Sequence, residues 1–220
     1  MTMTYVFPDL HGRLDHFNAA VAAAASPSDD TFVFLGDYID RGPESAQLVK
    51  ALRELQEVRP NVICLSGNHE VMMMGGLSEG GDWLNGWLRN GGNTTVESYT
   101  DGMGVLDDGA MAEDCAWFAS LPIYHEDEHR VYVHAGVEPS LRLVDQPAQI
   151  VHWKRYETLD GTGYNGKHVV HGHTPDKIGP KTIGHRTALD VGAVWTGRYV
   201  VGVFDDAVAG GPVRVLEVLV

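Results

Sequence analysis

The chain has 220 residues, 44% of them hydrophobic and 21% charged, with 16 Lys plus Arg against 30 Asp plus Glu and a formal net charge of −14. The length suits one domain with a substantial core, and the composition excludes a disordered or low-complexity chain. An acidic total argues against binding to nucleic-acid backbones, which needs a basic face, but leaves phosphorylated substrates open because bound metal ions can reverse the field locally.

Taken in chain order, Met1-Thr2-Met3-Thr4-Tyr5 has neither a basic segment nor an apolar stretch, so no signal peptide is expected. Tyr5-Val6-Phe7 is a first short apolar run and stops at Pro8-Asp9. Residues 13–25 are Ala-rich and predict a helix that Ser26-Pro27 ends; its apolar part, Ala19 to Ala25, is too short to span a bilayer. Phe32 to Leu35 stops at Gly36-Asp37. Residues 44–58 predict a helix with Leu48, Leu52 and Leu55 on one stripe and Glu44, Lys50, Arg53 and Glu54 on other faces. Val62 to Leu65 stops at Ser66-Gly67-Asn68, and Met72-Met73-Met74 follow in a predicted helix as core plugs. Trp83, Trp87 and Trp117 are further core candidates. His125 and His129 flank Glu126-Asp127-Glu128, read as a solvated hairpin tip.

Val131-Tyr132-Val133 then stops at His134, and Val169-Val170 at His171. From Thr187 to Val220 the pattern is strand-like, with Tyr199 to Phe204 and Val213 to Val220 joined by a turn at Gly210-Gly211. Runs this short and this rich in aromatic and β-branched residues predict buried strands. Strands alternating with helices point to one α/β domain over residues 1–220 with a mixed, two-sheet core. Two cysteines, Cys64 in an apolar run and Cys115, make neither a disulfide framework nor a paired metal spacing. The expectation is a cytoplasmic protein with no membrane attachment.

The chemistry lies where the runs stop: Asp9-Leu10-His11-Gly12, Gly36-Asp37-Tyr38-Ile39-Asp40-Arg41-Gly42, Gly67-Asn68-His69-Glu70, His134-Ala135-Gly136 and Gly172-His173-Thr174-Pro175. In open α/β sheets ligands bind at the carboxyl ends of strands, so five strand ends are expected to converge on one site. Asp, Asn and His without thiolates supply oxygen and nitrogen donors that suit Mn²⁺, Fe or Zn²⁺ better than Cu(I). Part of the acid concentrated in residues 1–150 is thereby given a purpose.

Together, in this order and spacing, these clusters resemble the signature of the calcineurin-like metallophosphoesterases, and most closely the bacterial-type phosphoprotein phosphatases that act on phosphoserine and phosphothreonine. The resemblance spans residues 9–175, with a weaker match at Asp190-Val191-Gly192. It implies two mixed β-sheets packed as a sandwich core flanked by α-helices, and two divalent metal ions, manganese first with iron or zinc as alternatives. Asp9 and His11 would hold the first ion, Asp37 would bridge, and Asn68, His134 and His173 would complete the second. A metal-bridging hydroxide would attack phosphorus directly, with His69 as general acid oriented by Asp40. Arg41 would grip phosphate oxygens together with Arg155, from Trp153-Lys154-Arg155, and Asn68 would help bind the substrate. The implied partners are a phosphorylated protein or a small phosphoester.

Asp40 stands where purple acid phosphatases carry a metal-binding Tyr, which argues against a Tyr–Fe(III) site. Diadenosine tetraphosphate hydrolases are similar too, and dinucleoside polyphosphates or other nucleotides are the alternative substrate class. Asp40-Arg41-Gly42, Asn68-His69-Glu70 and His173-Thr174-Pro175 favour the protein-phosphatase side. Two departures from the family pattern are Pro8, where Gly is usual before the first metal Asp, and Val191, where Thr is usual. His171 is expected to support structure and not to bind metal. Asn90-Gly91-Gly92-Asn93-Thr94-Thr95 resembles a stretch of bacterial family members and receives no function from the sequence.

Overall fold

The computed structural model describes residues 2–24 and 27–220; Met1 and the Ala25-Ser26 end of the first predicted helix lie outside the described residues. The first half alternates as expected: β1 (Met3–Phe7), α1 (Leu14–Ala23), β2 (Thr31–Phe34), α2 (Ser45–Val58) and β3 (Val62–Cys64). A helical stretch follows, with α3 (Asn68–Glu79), α4 (Gly81–Trp87), a kinked turn at Leu88–Gly92, α5 (Asn93–Ser98) and α6 (Asp108–Ser120). The remainder holds β4 (Tyr124–Glu126), β5 (Arg130–Val133), α7 (Ala148–Trp153), β6 (His168–His171), β7 (Lys181–Ile183), β8 (Arg186–Ala188), α8 (Ala193–Thr196), β9 (Arg198–Asp205) and β10 (Arg214–Leu219).

These strands form two five-stranded mixed sheets, ordered β10-β9-β1-β2-β3 and β4-β5-β6-β8-β7. β1, β2 and β3 are mutually parallel, as are β5, β6 and β8, so their carboxyl ends open in register within each sheet. Side-chain alternation sorts the layers. Val6, Val33, Leu35, Leu65, Tyr132, Val170, Leu189 and Phe204 fill the space between the sheets. Tyr5, Phe7, Phe32 and Phe34 point the other way, onto Phe17, Leu48, Leu52 and Met73 of the helices. Val131, Val133 and Val169 pack with Val151 of α7 on the far side of the second sheet. Burial on both faces is why these strands read as unbroken apolar runs.

Two local expectations need correcting. The strand-like tail is interrupted by α8, which Gly192 and Gly197 bracket in left-handed conformation. Trp83 is 42% exposed, because it lies over Gly75 at the surface of the α3–α4 hairpin and not in the core. The tip between β4 and β5 is a hairpin with Glu126 and Glu128 exposed, as expected, and Asp127 holds it by accepting hydrogen bonds from the His129 and Arg130 amides and the Tyr132 hydroxyl. No helix among the described residues is long and apolar enough to cross a membrane.

Candidate active site

Every polar cluster sits just beyond a parallel strand: Asp9 after β1, Asp37 after β2, Asn68 and His69 after β3, His134 after β5 and His173 after β6. Among the described residues six non-glycine residues have positive φ, and five of them are His11, Asp37, Asp40, Arg41 and His173. Left-handed backbone costs a residue with a Cβ about 1–3 kcal/mol and persists only where surrounding contacts enforce it. Here the enforcing contacts are visible. The Leu10 and His11 amides donate to the Asp37 carbonyl at 3.1 and 2.8 Å, and the Gly12 amide donates to Tyr38 at 2.7 Å, locking the first two loops together. Pro8, lacking a donor of its own, still anchors this loop by accepting the Tyr199 hydroxyl at 2.7 Å.

Glu70 ties in the third loop. Its fully buried carboxylate accepts the amides of Asp37 at 2.9 Å, Tyr38 at 2.8 Å and Gly67 at 2.8 Å. Burial nevertheless pushes its pKa up to about 7. Gly67 and Gly172 are required by space: a Cβ would overlap the Asp37 carboxylate at the first and the Asp9 carboxylate at the second.

The donors fall into two groups. Asn68 Oδ1, His134 Nε2 and His173 Nδ1 lie 2.9, 3.0 and 3.2 Å from one another. His134 spends its Nδ1–H on the Leu35 carbonyl, so its Nε2 presents a lone pair, and the buried Asn68 oxygen presents another. Such lone pairs repel unless a cation joins them. Ligands about 2.1 Å from an ion and at right angles to each other lie about 3.0 Å apart, which matches the spacing found. Around the second position stand His11 and Asp37, with the His69 ring alongside them. His11 likewise spends Nδ1 on the Ile39 carbonyl and turns Nε2 inward. Asp37 faces both groups, with Oδ1 3.4 Å from His134 Nε2 and Oδ2 3.7 Å from His11 Nε2. Asp9 accepts the His173 amide at 3.0 and 3.2 Å.

Electrostatics agree with cation binding. Burial, and then the neighbouring carboxylates Asp190 for Asp9 and Asp9 for Asp37, hold both acids well above the usual range. Burial holds His11, His69 and His134 well below theirs, and burial followed by Arg155 and Arg41 lowers His173 to about 4. Neutral imidazoles are what a metal needs, and crowded carboxylates are what a divalent ion relieves. The donor set therefore fits two divalent ions. One position already accommodates positive charge: the Arg41 guanidinium donates to His11 Nε2, standing where a cation on the His11 group would sit.

Arg41 is thus directed inward and lies over the Trp195 ring, 4.9 Å from its centroid. Arg155 is exposed in the loop after α7 and lines the mouth of the site. That mouth is a cleft of about 250 Å³ bounded by Asp37, Arg41, Asn68, His69, Met72 and Trp195, with Trp153, Arg155 and His173 opposite. A larger groove of about 970 Å³ between α2 and α6 contains none of these residues. His69 sits under the cleft with Nδ1 2.6 Å from Asp40 Oδ2 and Nε2 3.9 Å from Asp37 Oδ2. His171 binds no candidate ligand; its Nδ1 meets the Gly172 carbonyl and its Nε2 meets Arg186.

Residues that sequence reasoning missed are as informative. Asp190, after β8, neighbours Asp9 and accepts the Gly192 amide at 2.8 Å; its weak motif match was the available signal. Trp87, expected only to fill the core, donates its indole N–H to Asp40 at 2.9 Å, and the Thr95 hydroxyl donates to the same carboxylate at 2.6 Å. Met72 lines the cleft while Met73 alone of the three methionines is fully buried. Trp195 had no signal at all, since an isolated Trp after a turn looks like any other.

Comparisons with known proteins give the family and the fold. The symmetrical bis(5′-nucleosyl)-tetraphosphatase of Pseudomonas fluorescens (strain SBW25) is 28% identical over 146 residues, covering 64% of this chain and 45% of that protein. The asymmetrical bis(5′-nucleosyl)-tetraphosphatase PrpE of Bacillus thuringiensis (strain Al Hakam) is 26% identical over 220 residues, covering 88% and 87%. The chain spans under half the length of the symmetrical enzymes that it matches first. A protein serine/threonine phosphatase from Saccharomyces cerevisiae shares the fold, with a TM-score of 0.68, 15% identity, and coverage of 100% of this chain and 80% of that one. The model of the calcineurin-like phosphoesterases matches residues 3–200, the stretch that carries every cluster described above, and the chain belongs to that family of metal-dependent phosphoric ester hydrolases.

Proposed function

We propose that the chain is a phosphomonoesterase acting on phosphoserine or phosphothreonine, with His69 as general acid. The observation that carries this is the buried Asp40–His69 pair, 2.6 Å apart, opening onto a cleft that also holds two arginines and both donor groups. Divalent ions bound at those donors would supply Lewis-acid polarisation of the phosphoryl group and acidify a coordinated water. The protein's own groups do the rest. Arg155 at the mouth, and Arg41 once it is displaced from His11, complement charge on the phosphoryl oxygens, and Asn68 borders the same space. His69 hands a proton from Nε2 to the leaving oxygen as the P–O bond breaks. Burial favours the neutral form of His69, and an arriving phosphate dianion supplies the negative charge that favours its protonated form. An alkoxide leaving group needs that proton more than a phosphate leaving group does, which supports a serine or threonine ester.

A second reading is favoured by the named tetraphosphatase relatives and by Trp153 and Trp195, which line the same cleft as the arginines and offer rings on which a nucleobase could stack. Manganese suits the mixed oxygen and imidazole donors, with iron or zinc as alternatives. Cys64 and Cys115 stand unpaired in the fold, which supports a reducing, cytoplasmic setting. The deciding experiment compares phosphopeptides with diadenosine tetraphosphate using metal-stripped enzyme reconstituted with Mn²⁺. Metal-dependent release of phosphate from phosphopeptides is the expected result, and turnover of the dinucleotide alone would replace the first reading with the second. His69→Asn should lower kcat on the peptide about 10²-fold or more with metal content unchanged.

A further inference from the structure

The segment from Trp87 to Thr95 supplies no residue to the metal groups and only Asn90 to the cleft, yet it is wrapped around the residues between them. Asp40 has positive φ, and its amide donates to Thr95 Oγ1 at 2.9 Å and to Ser45 Oγ at 3.1 Å. Thr95 returns its hydroxyl proton to Asp40 Oδ1 at 2.6 Å. The Trp87 indole N–H straddles the carboxylate at 2.9 Å from Oδ1 and 3.1 Å from Oδ2. Gly91, with φ of 108°, accepts the Arg41 amide at 3.2 Å, and a Cβ there would come within 2.8 Å of the Arg41 backbone nitrogen. A Cβ on Gly92 would strike the Trp87 indole at 2.5–2.7 Å. A kink between α4 and α5 makes this possible: the non-helical backbone of Gly91 turns the chain so that Thr95 and Trp87 meet the same carboxylate.

We propose that Trp87 and Thr95 are positioning residues for catalysis. They saturate Asp40 Oδ1, fix the rotation of the carboxylate, and so leave Oδ2 as the single acceptor that holds the His69 ring with Nε2 aimed at the leaving oxygen. The glycines of the motif exist to let backbone and indole approach closely enough to do it. This rests on His69 acting as general acid, and it predicts a signature that simple loss of packing lacks. A proton donor misplaced by a fraction of an ångström slows esters whose leaving oxygen must be protonated, and spares those whose leaving oxygen is stable as an anion.

The test is Thr95→Val, assayed on an alkyl phosphate (phosphoserine peptide) and on p-nitrophenyl phosphate. The expected result is a fall in kcat of about 10–100-fold on the first and under about 3-fold on the second, with KM unchanged on both. Thr95→Ser, which keeps the hydroxyl, recovers most of the loss. Trp87→Phe gives the same selective loss and serves if the valine variant does not fold. A second readout is independent of turnover. In the metal-free protein the short His69 Nδ1–H···Asp40 bond gives a far-downfield proton resonance, identified by its loss in His69→Asn. Thr95→Val shifts or broadens that resonance and Thr95→Ser restores it. Equal losses on the two substrates, or a resonance unmoved by Thr95→Val, overturn the proposal. Inactivity of the wild-type protein on every phosphoester defeats the functional reading, and the resonance then still decides whether Thr95 positions the pair.

Discussion

Glu70→Gln isolates the physical device that assembles the site. In the native protein three amides from two loops converge on one fully buried carboxylate, two of them on Oε2 and one on Oε1. A glutamine of the same shape can turn its single carbonyl oxygen toward the Asp37 and Gly67 amides. Its NH₂ group then faces the Tyr38 amide, donor against donor. One hydrogen bond to a charged acceptor is lost and one buried donor is left without a partner, which costs about 2–3 kcal/mol. For 220 residues that corresponds to a fall in Tm of about 4–12 °C. Because the released Tyr38 amide is next in the chain to Asp37, which sits at positive φ, the Asp37 carboxylate should lose its aim as well. Metal affinity then falls about 10–100-fold. The assay is a thermal melt at pH 8, above the pKa of about 7 to which burial raises Glu70, paired with a Mn²⁺ titration of the stripped protein. A Tm within 1 °C of wild type (about the resolution of a melt) together with unchanged metal affinity would refute the claim that Glu70 holds these loops.

Other perturbations probe separate parts of the same construction. Chelation should lower Tm and re-addition of Mn²⁺ should restore it, because ions bind the crowded Asp9 and Asp37 carboxylates only in the folded state, with about 2.7 kcal/mol gained at a hundredfold excess over Kd; an unchanged melt would contradict the donor assignment. His171 is buried and its pKa is pushed down to about 3, chiefly by desolvation and further by Arg186. A lowered histidine pKa contributes stability that is fully present above the unfolded value near 6.5 and is lost as pH falls toward 3. Urea unfolding across that range should show the slope, and His171→Asn should flatten it. Arg155→Ala should raise KM for a phosphopeptide about 10-fold or more with little change in kcat, as expected for a charged contact made already in the ground state. A fall in kcat alone would move Arg155 from binding to the chemical step.

Much of the site was legible because its chemistry is carried by residue type at strand ends. Asp9, His11, Asp37, Asn68, His134 and His173 each follow an apolar run, and parallel strands bring such ends together whatever lies between them. Arg41 was harder. Its place beside Asp37 and Asp40 is visible in the chain, but its turn onto His11 depends on side-chain packing against Trp195 and Gly91, neither of which is near it in sequence. Trp87 looked like core, and it is buried; that its one polar atom meets Asp40 is a contact across 47 positions. Trp83 looked the same and lies at the surface, since hydrophobicity alone cannot say which turn of a short helix faces inward.

The acidic charge with which the chain opens has a similar division. Composition alone argued against a binder of nucleic-acid backbones, and the order of the clusters pointed by resemblance to a metal-dependent phosphoesterase, because both follow from which groups are present and in what sequence along the strands. Only the tertiary structure decided how those groups are aimed. Hydrogen bonds between loops far apart in the chain force His11, Asp37, Asp40 and His173 into left-handed backbone, direct Nε2 of His11 and His134 inward, and gather three lone pairs at one point. Such orientations are energetically unfavourable for each residue alone. They exist because many partners enforce them at once, and that is a property of the folded whole.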